Sequence, residues 1–259
     1  MRYRTGCLYT QKTAYRMKHS NGDLCPLCNT PDSAGHMLGA CTHDSISGLR
    51  ILRHNDAVRQ IAKGIRQSTH GHVSNAMMYM DAGNQVDSII SDVGNRVPGW
   101  LLPNTDPSIR NKLRPDLLLI TMPDSINKQT ARLEYAKEQA VVYIIEVGYG
   151  ADTKYEETLA RKLAQHTTLY NLLTEEGWTV IIPTPIIIGF GGSIYKSSLA
   201  TLTSLGVTKG IAMQLLSKIQ RLTAHRASQI VATRRFHEYS MGTGPKRHFF
   251  RTNNSRRPS

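Results

Sequence analysis

The sequence predicts an α/β protein that carries a small cysteine-rich unit ahead of its main body. Three observations predict this. Short apolar runs, Leu117–Thr121 and Val141–Val147, alternate along the chain with long amphipathic stretches. Three of the four cysteines fall within residues 23–44. The 259 residues are 40% hydrophobic, enough for one sizeable core and a small satellite.

Residues 45–66 are predicted as an amphipathic helix, because Leu49, Leu52, Val58, Ile61, Ala62 and Ile65 keep helical spacing. Residues 71–112 show no clear period, and Asp81-Ala-Gly-Asn and Pro103-Asn-Thr-Asp-Pro read as loops. Leu117–Thr121 reads as a buried strand after Arg114-Pro115-Asp116, and the polar residues 122–137 as a loop. Val141–Val147 is the clearest strand. A helix is expected from about Thr153 to Glu175, stopped by Gly177. Val180–Ile182 and Ile186–Gly189 are strand material broken by Pro183 and Pro185. A last long helix is expected over roughly Thr208 to Phe236. The chain thus divides into a basic segment (1–22), the cysteine-rich unit (23–44), a main body ending in a basic helix (45–239) and a tail (240–259). The tail, rich in Gly, Pro, Asn and Arg, is predicted to be disordered.

The net charge of +13 resides at the two ends. Residues 1–22 hold five basic and no acidic residues, and residues 221–259 hold nine basic residues and Glu238 alone as an acid. Such an arrangement suits a protein that grips a polyanion at its flanks, or it is a pair of solvated ends. No run of about 18 apolar residues exists and the first residues lack a secretory pattern, so no membrane partner is expected. A reducing compartment follows, where clustered cysteines are metal ligands more often than disulfides.

The spacing Cys25-x2-Cys28-x7-His36-x4-Cys41 supplies three thiolates and an imidazole to one structural zinc ion. His43 is a competing ligand, and Cys7 is left over. Asp116 heads one strand and Glu146 lies near the end of the next. A hairpin would bring both carboxylates to one end of a sheet, where hard oxygens make a magnesium site for phosphodiester hydrolysis. Glu146 interrupts an apolar strand, and a buried acid there needs a metal or a cation. Lys162, with Lys154 as the alternative, is the candidate cation. Lys162, His166 and Tyr170 share one helical stripe.

Pro115-Asp116 with a strand-borne Glu146 resembles the PD-(D/E)xK nuclease superfamily, which carries a central mixed sheet flanked by helices. That pattern places Lys two residues after the Glu, where this chain has Gly148. More specifically, the chain resembles the C-terminal portion of site-specific non-LTR retrotransposon proteins with a restriction-like endonuclease. Arg4-Thr5-Gly6, the Cys-Cys-His-Cys knuckle, Arg53-His54-Asn55, Arg114-Pro115-Asp116, Glu146 and the stretch from Lys162 to Tyr170 follow one another in that family's order. The Asp116–Glu146 interval is longer than in the family, with the excess in loop 122–137.

The resemblance implies a nuclear (or, before import, cytoplasmic) magnesium-dependent DNA endonuclease that nicks double-stranded DNA for target-primed reverse transcription. Element RNA is a possible second ligand. The resemblance also implies a reverse transcriptase domain upstream in the same polypeptide, so this chain is expected to be the tail of a longer element. Arg53, His54, Arg114, Arg221, Arg234 and Arg235 are the candidate nucleic-acid contacts. His54 and Asn55 are read as capping and packing their helix, with a place beside the catalytic centre as the alternative. Two other readings stay open: a catalytically inactive zinc and nucleic-acid-binding remnant, which Gly148 favours, and a junction-resolving or repair nuclease of the same fold.

Overall fold

A computed structural model describes residues 8–68, 76–81, 97–123 and 137–242. The expectations for Arg4-Thr5-Gly6, Cys7, residues 82–84, most of loop 122–137 and the tail from 243 lie outside these residues.

The chain is α/β, with a mixed sheet flanked by helices. In order the elements are α1 (Gln11–Arg16), α2 (Ala34–Gly39), α3 (Asp44–Arg66), β1 (Ala76–Met80), α4 (Pro107–Arg110), β2 (Leu117–Thr121) and β3 (Val141–Ile145). Then come β4 (Val147–Gly150), α5 (Tyr155–Ala164), α6 (Thr167–Glu175), β5 (Thr179–Ile181), β6 (Ile186–Gly189), α7 (Lys196–Ser204) and α8 (Lys209–Ser240).

The main sheet runs β1-β2-β3-β5. Strands β1, β2 and β3 pair antiparallel, and β5 joins β3 in parallel. A second, two-stranded parallel sheet joins β4 to β6. Strand β2 is buried along its whole length, which explains why it reads as an unbroken apolar run and not an alternating one. One face of the main sheet, with Met78, Met80, Leu117, Leu119 and Ile145, packs under α3, α7 and α8. The other face, with Met77, Tyr79, Leu118, Ile120, Val142 and Ile144, is covered by Leu169 and Leu173 of α6 and by Trp178. Helices α3 and α8 cross closely at Gly64, where a β-carbon would stand 2.5 Å from Leu215 Cδ2.

Several expectations need correction. The strand expected over Val141–Val147 is divided at Glu146: β3 pairs with β2 and β5, and β4 leaves to pair with β6. The helix expected over Thr153–Glu175 is two helices, because the chain turns at Gln165–His166 and sends the His166 side chain inward. Leu52, assigned to the inner stripe of α3, is exposed, while Ile46 and Arg53 are buried. Strand β1 has no alternation to announce it, since all five residues are buried.

The cysteine-rich unit shares a core with the two long helices. Cys25, Met37, Leu38 and Cys41 pack with Ile46 of α3 and with Ala227 and Ile230 of α8. An ionic knot seals this joint. Arg234 is fully buried and donates from Nη2 to Asp32 Oδ2 at 2.9 Å, and from Nε to Glu238 Oε1 at 2.7 Å. Asp32 Oδ2 also accepts from the Gln11 main chain at 2.7 Å.

Removing one partner of a fully buried ion pair strands the other charge in a medium that cannot solvate it. Asp32→Ala is expected to lower unfolding stability by about 3–5 kcal/mol. Lys154→Ala, which breaks only the exposed pair with Glu157, should cost no more than about 1 kcal/mol. Urea titrations of the two variants measure both, and equal losses would show that the knot contributes nothing special.

Candidate functional site

The described residues contain one group able to hold a metal ion. The ligand atoms of Cys25, Cys28, His36 and Cys41 lie within 4.8 Å of one another. Local structure builds the group. The left-handed Asn29 (φ 56°) turns the chain after Cys28, and Asn29 N donates to the Cys25 carbonyl at 2.8 Å. Ser33 caps α2 and sets its first turn, which carries His36. Cys28 Sγ lies 3.2 Å from His36 Nε2 and 3.8 Å from Cys41 Sγ. A tetrahedral ion with thiolate bonds of about 2.3 Å spreads its sulfurs about 3.8 Å apart. Arg234 Nη1 stands 3.2 Å from Cys25 Sγ, so a fixed positive charge faces that sulfur. Burial opposes ionisation of Cys28, but hydrogen bonds with Thr30 and Cys25 outweigh it and bring the thiol to about 6. His43, the competing ligand, is outside the group; its ring lies against His237, centroids 5.0 Å apart.

The antiparallel register of β2 and β3 pairs Leu117 with Ile145, which sets Asp116 beside Glu146 just past the end of the pairing. The two residues are interlocked. The Asp116 main-chain N–H donates to Glu146 Oε1 at 2.9 Å, and the Val147 N–H donates to Asp116 Oδ2 at 2.8 Å. Lys162 reaches in from α5 and places Nζ 2.7 Å from Glu146 Oε2 and 3.6 Å from Asp116 Oδ2. His166 Nε2 lies 2.6 Å from Glu146 Oε1, without hydrogen-bond direction. From the other side, His54 of α3 places Nε2 3.2 Å from Asp116 Oδ1 and 3.3 Å from the Val147 carbonyl oxygen.

Gly148, where the resemblance would have a lysine, explains the position of Lys162. A β-carbon at Gly148 would meet Ile187 Cδ1 at 2.6 Å and Lys162 Cγ at 3.3 Å. The stem of Lys162 fills the space over that glycine and delivers an amine to the carboxylates from a helix. Lys154, the alternative, pairs with Glu157 at 2.9 Å on the exposed surface instead.

The candidate nucleic-acid residues are scattered. Arg234 must be corrected, since it is fully buried in the ionic knot and presents no donor to a surface ligand. Arg235 stacks on Tyr9, with its guanidinium 4.9 Å from the ring centroid, and pairs with Glu238. Arg114 makes two 2.9 Å bonds to Asp81, and Arg221 is exposed on α8. Arg53 is buried but lines a cavity with His54 and Lys162, beside the carboxylates. Asn55 is buried and lies 3.4 Å from His54 Nδ1. The sequence reading missed Tyr149, whose ring stacks on Arg53 at 4.4 Å. The available signal was its two-residue spacing from Val147 on one strand face.

Burial pulls the His54 pKa down, but the hydrogen bond and charge of Asp116 outweigh it and leave the imidazole above its usual 6.5. Burial likewise pushes Asp116 up, yet His54 and then Lys162 outweigh it and hold the carboxyl at about 2. A raised folded-state pKa stabilises the fold below the unfolded value, and that gain disappears as pH rises through the folded value. His54→Gln should therefore cost more stability near about pH 6 than near about pH 9 in urea titrations. The same loss at both pH values would mean that no charged histidine supports the site. For the cysteine group, chelation should make the Cys25, Cys28 and Cys41 thiols reactive toward a thiol reagent. Unchanged reactivity would rule out a bound ion.

No protein-family model matches this chain, and no curated protein sequence matches it.

Proposed function

We propose that this chain is the restriction-like endonuclease region of a non-LTR retrotransposon protein and hydrolyses phosphodiester bonds in double-stranded DNA. One observation carries the reading: a lysine amine sits between two interlocked carboxylates at the end of a strand pair, 2.7 and 3.6 Å from their oxygens. Asp116, Glu146 and Lys162 are the same three residue types that the resemblance assigns to its catalytic centre. Zinc is the ion proposed for the cysteine group, because three thiolates and one imidazole at this spacing favour it in a closed structural site.

Magnesium takes hard oxygen ligands, the donor type that Asp116, Glu146 and the Val147 carbonyl supply. His54 Nε2 stands between Asp116 Oδ1 and the Val147 carbonyl oxygen, 3.2 and 3.3 Å from them, so an ion there requires the imidazole to swing aside. Glu146 adds a second carboxylate beside them. Asp116, Glu146 and the Val147 carbonyl would hold the ion, which when bound supplies Lewis acidity and an acidified water. The chain's own residues do the rest. Lys162 presents a fixed positive charge to the phosphate, and it does so from a partly buried position where that charge is weakly screened. His54 stands at the edge of the same cluster, its pKa raised by Asp116, and orients that carboxylate. Nicking would leave a 3′ hydroxyl for a polymerase to extend, a role that comes from the resemblance alone.

A second reading has its own observation. All four carboxylate oxygens already face a nitrogen: His54, the Val147 N–H, Lys162, or the Asp116 N–H with His166. Such a saturated network is also what a non-enzymatic zinc and nucleic-acid-binding remnant would keep for stability.

Supercoiled plasmid with magnesium separates the two. The wild-type chain should nick it, and Asp116→Ala and Glu146→Ala should each reduce the rate by about 100-fold or more. DNA binding with no nicking in any divalent ion would select the remnant. Reverse-transcriptase coding sequence immediately upstream in the genome is the expected context, and its absence would count against the retroelement assignment.

A further inference from the structure

Arg234 makes a contact that its two acids do not require. The guanidinium is fully buried and already pairs with Glu238 through Nε and with Asp32 through Nη2. Its remaining nitrogen, Nη1, stands 3.2 Å from Cys25 Sγ and 3.5 Å from Asp32 Oδ1. The shorter contact goes to the sulfur. Cys25 lies on the buried side of the cysteine group, whereas Cys28 and His36 are half-buried.

The state of the sulfur decides how strong that contact is. A thiol is a weak acceptor. A thiolate on a metal is ionised, and hydrogen bonds to ionised acceptors are about twice as strong as neutral ones. Three thiolates and an imidazole on zinc carry one net negative charge, and Arg234 sets a cation beside it. The arginines of α3 act differently. Arg50 and Arg53 also reach the cysteine unit, but each ends on a main-chain carbonyl, that of Cys41 or Leu38, at 2.8 Å. A carbonyl is the same acceptor with or without an ion.

The end of α8 depends on the Arg234 contact. The first half of the helix is held by apolar burial, with Ala212, Leu215, Leu216 and Ile219 in the core against the main sheet. Ala227 and Ile230 continue onto the cysteine unit. Beyond them the helix presents Phe236 and Tyr239, 70% and 49% exposed, so polar contacts carry much of the hold on its last turns. These contacts are Arg234 itself, Arg235 on the Tyr9 carbonyl at 2.9 Å, and Glu238 between the two arginines.

We propose that Arg234 couples the ion of the cysteine group to the docking of α8. An occupied group grips the last turns through the charged sulfur, and an empty one loosens them. Such coupling is reciprocal, so losing the Arg234 contact also weakens the hold on the ion. Partners of metal ligands set affinity in this way. The coupling rests on the zinc reading of the cysteine group and not on the nuclease reading.

The test uses the full chain, with zinc as the probe, removed by a chelator and then restored. Amide hydrogen exchange is followed along α8, and zinc affinity is measured by competition with a chromophoric chelator. Removing zinc should speed exchange over residues 227–240 by about 10-fold or more and leave residues 209–222 unchanged. Arg234→Lys keeps a positive charge beside Asp32 and Glu238 but loses the planar fork that also reaches the sulfur. It should lower zinc affinity by about 10-fold or more and shrink the response of residues 227–240. Ile230→Ala removes packing at the same joint without touching the sulfur, so it should lower stability and leave zinc affinity unchanged. Equal losses of affinity in the two variants would overturn the proposal, since Arg234 would then act as packing alone. Exchange over residues 227–240 that ignores the chelator would overturn it on the unmutated chain, whether or not the variants fold. A chain that holds no zinc overturns the zinc reading together with the coupling. A chain that holds zinc while α8 does not respond overturns the coupling alone.

Discussion

Burying a carboxylate costs several kcal/mol unless cations and donors surround it, and Glu146 is 1% exposed at the point where one extended segment changes sheets. Strand β3 before it belongs to the four-stranded sheet, and β4 after it belongs to the two-stranded one. The carbonyl of Glu146 accepts from Ile186 at 2.8 Å, so the main chain at the fork stays paired. The side chain is satisfied from two directions: the residue ahead of β2 gives the Asp116 N–H and α5 gives Lys162, while the His166 ring stands 2.6 Å away without a hydrogen bond. The break in the helical stretch lies at the same place: the turn at His166 brings its ring beside Glu146 while α6 continues over the opposite sheet face. Much of the middle of the fold is arranged to keep one negative charge inside.

The elements with strong patterns were legible from sequence. A buried run such as Leu117–Thr121, the long stretch at α3 and the last helix each carried their own signal. That Asp116 and Glu146 share one end of the sheet was legible too, from a hairpin between the two strands; the register of Leu117 against Ile145 that sets them side by side was not. What was not legible depends on tertiary context. Nothing local in Ala76–Met80 distinguishes a buried outer strand from a loop, and α7 has too weak an apolar stripe to stand out in its surroundings. Arg234 read as one more basic residue on a basic helix. Its burial follows from Asp32, about 200 positions away in sequence, and no local pattern reports such a partner.

The cysteine unit is small, yet it is not an isolated appendage. Its sulfurs belong to the same apolar cluster as Ile46, Ala227 and Ile230. Arg234 bridges Asp32, Glu238 and Cys25, so the acid that holds the start of α1, the thiol and the last helix share one cation. In a medium of low polarisability these contacts are mutually dependent. A helix that ends in basic residues is thereby anchored at its inner face, while Arg221 and Lys218 stay on the outer one.

The exchange of residues between Gly148 and Lys162 shows why chemistry is better read in space than in sequence. A lysine on β4 would have to rise from a strand position whose outer side is closed by Ile187 and Thr158. The glycine leaves that volume to a side chain from α5, which enters lengthwise and ends between the two acids. An amine needs only its distance to the carboxylates to be right; the element that supplies it is free to change. On the proposed reading, spacing along the chain was the wrong coordinate for judging whether the site is complete. The presence of an ammonium 2.7 Å from Glu146 and 3.6 Å from Asp116 is the right one. The same logic applies across the cavity. Arg53 and His54 are adjacent in sequence, yet one faces Tyr149 and Phe190 while the other faces Asp116. A single turn of α3 thus joins the carboxylates to the cavity lined by Arg53.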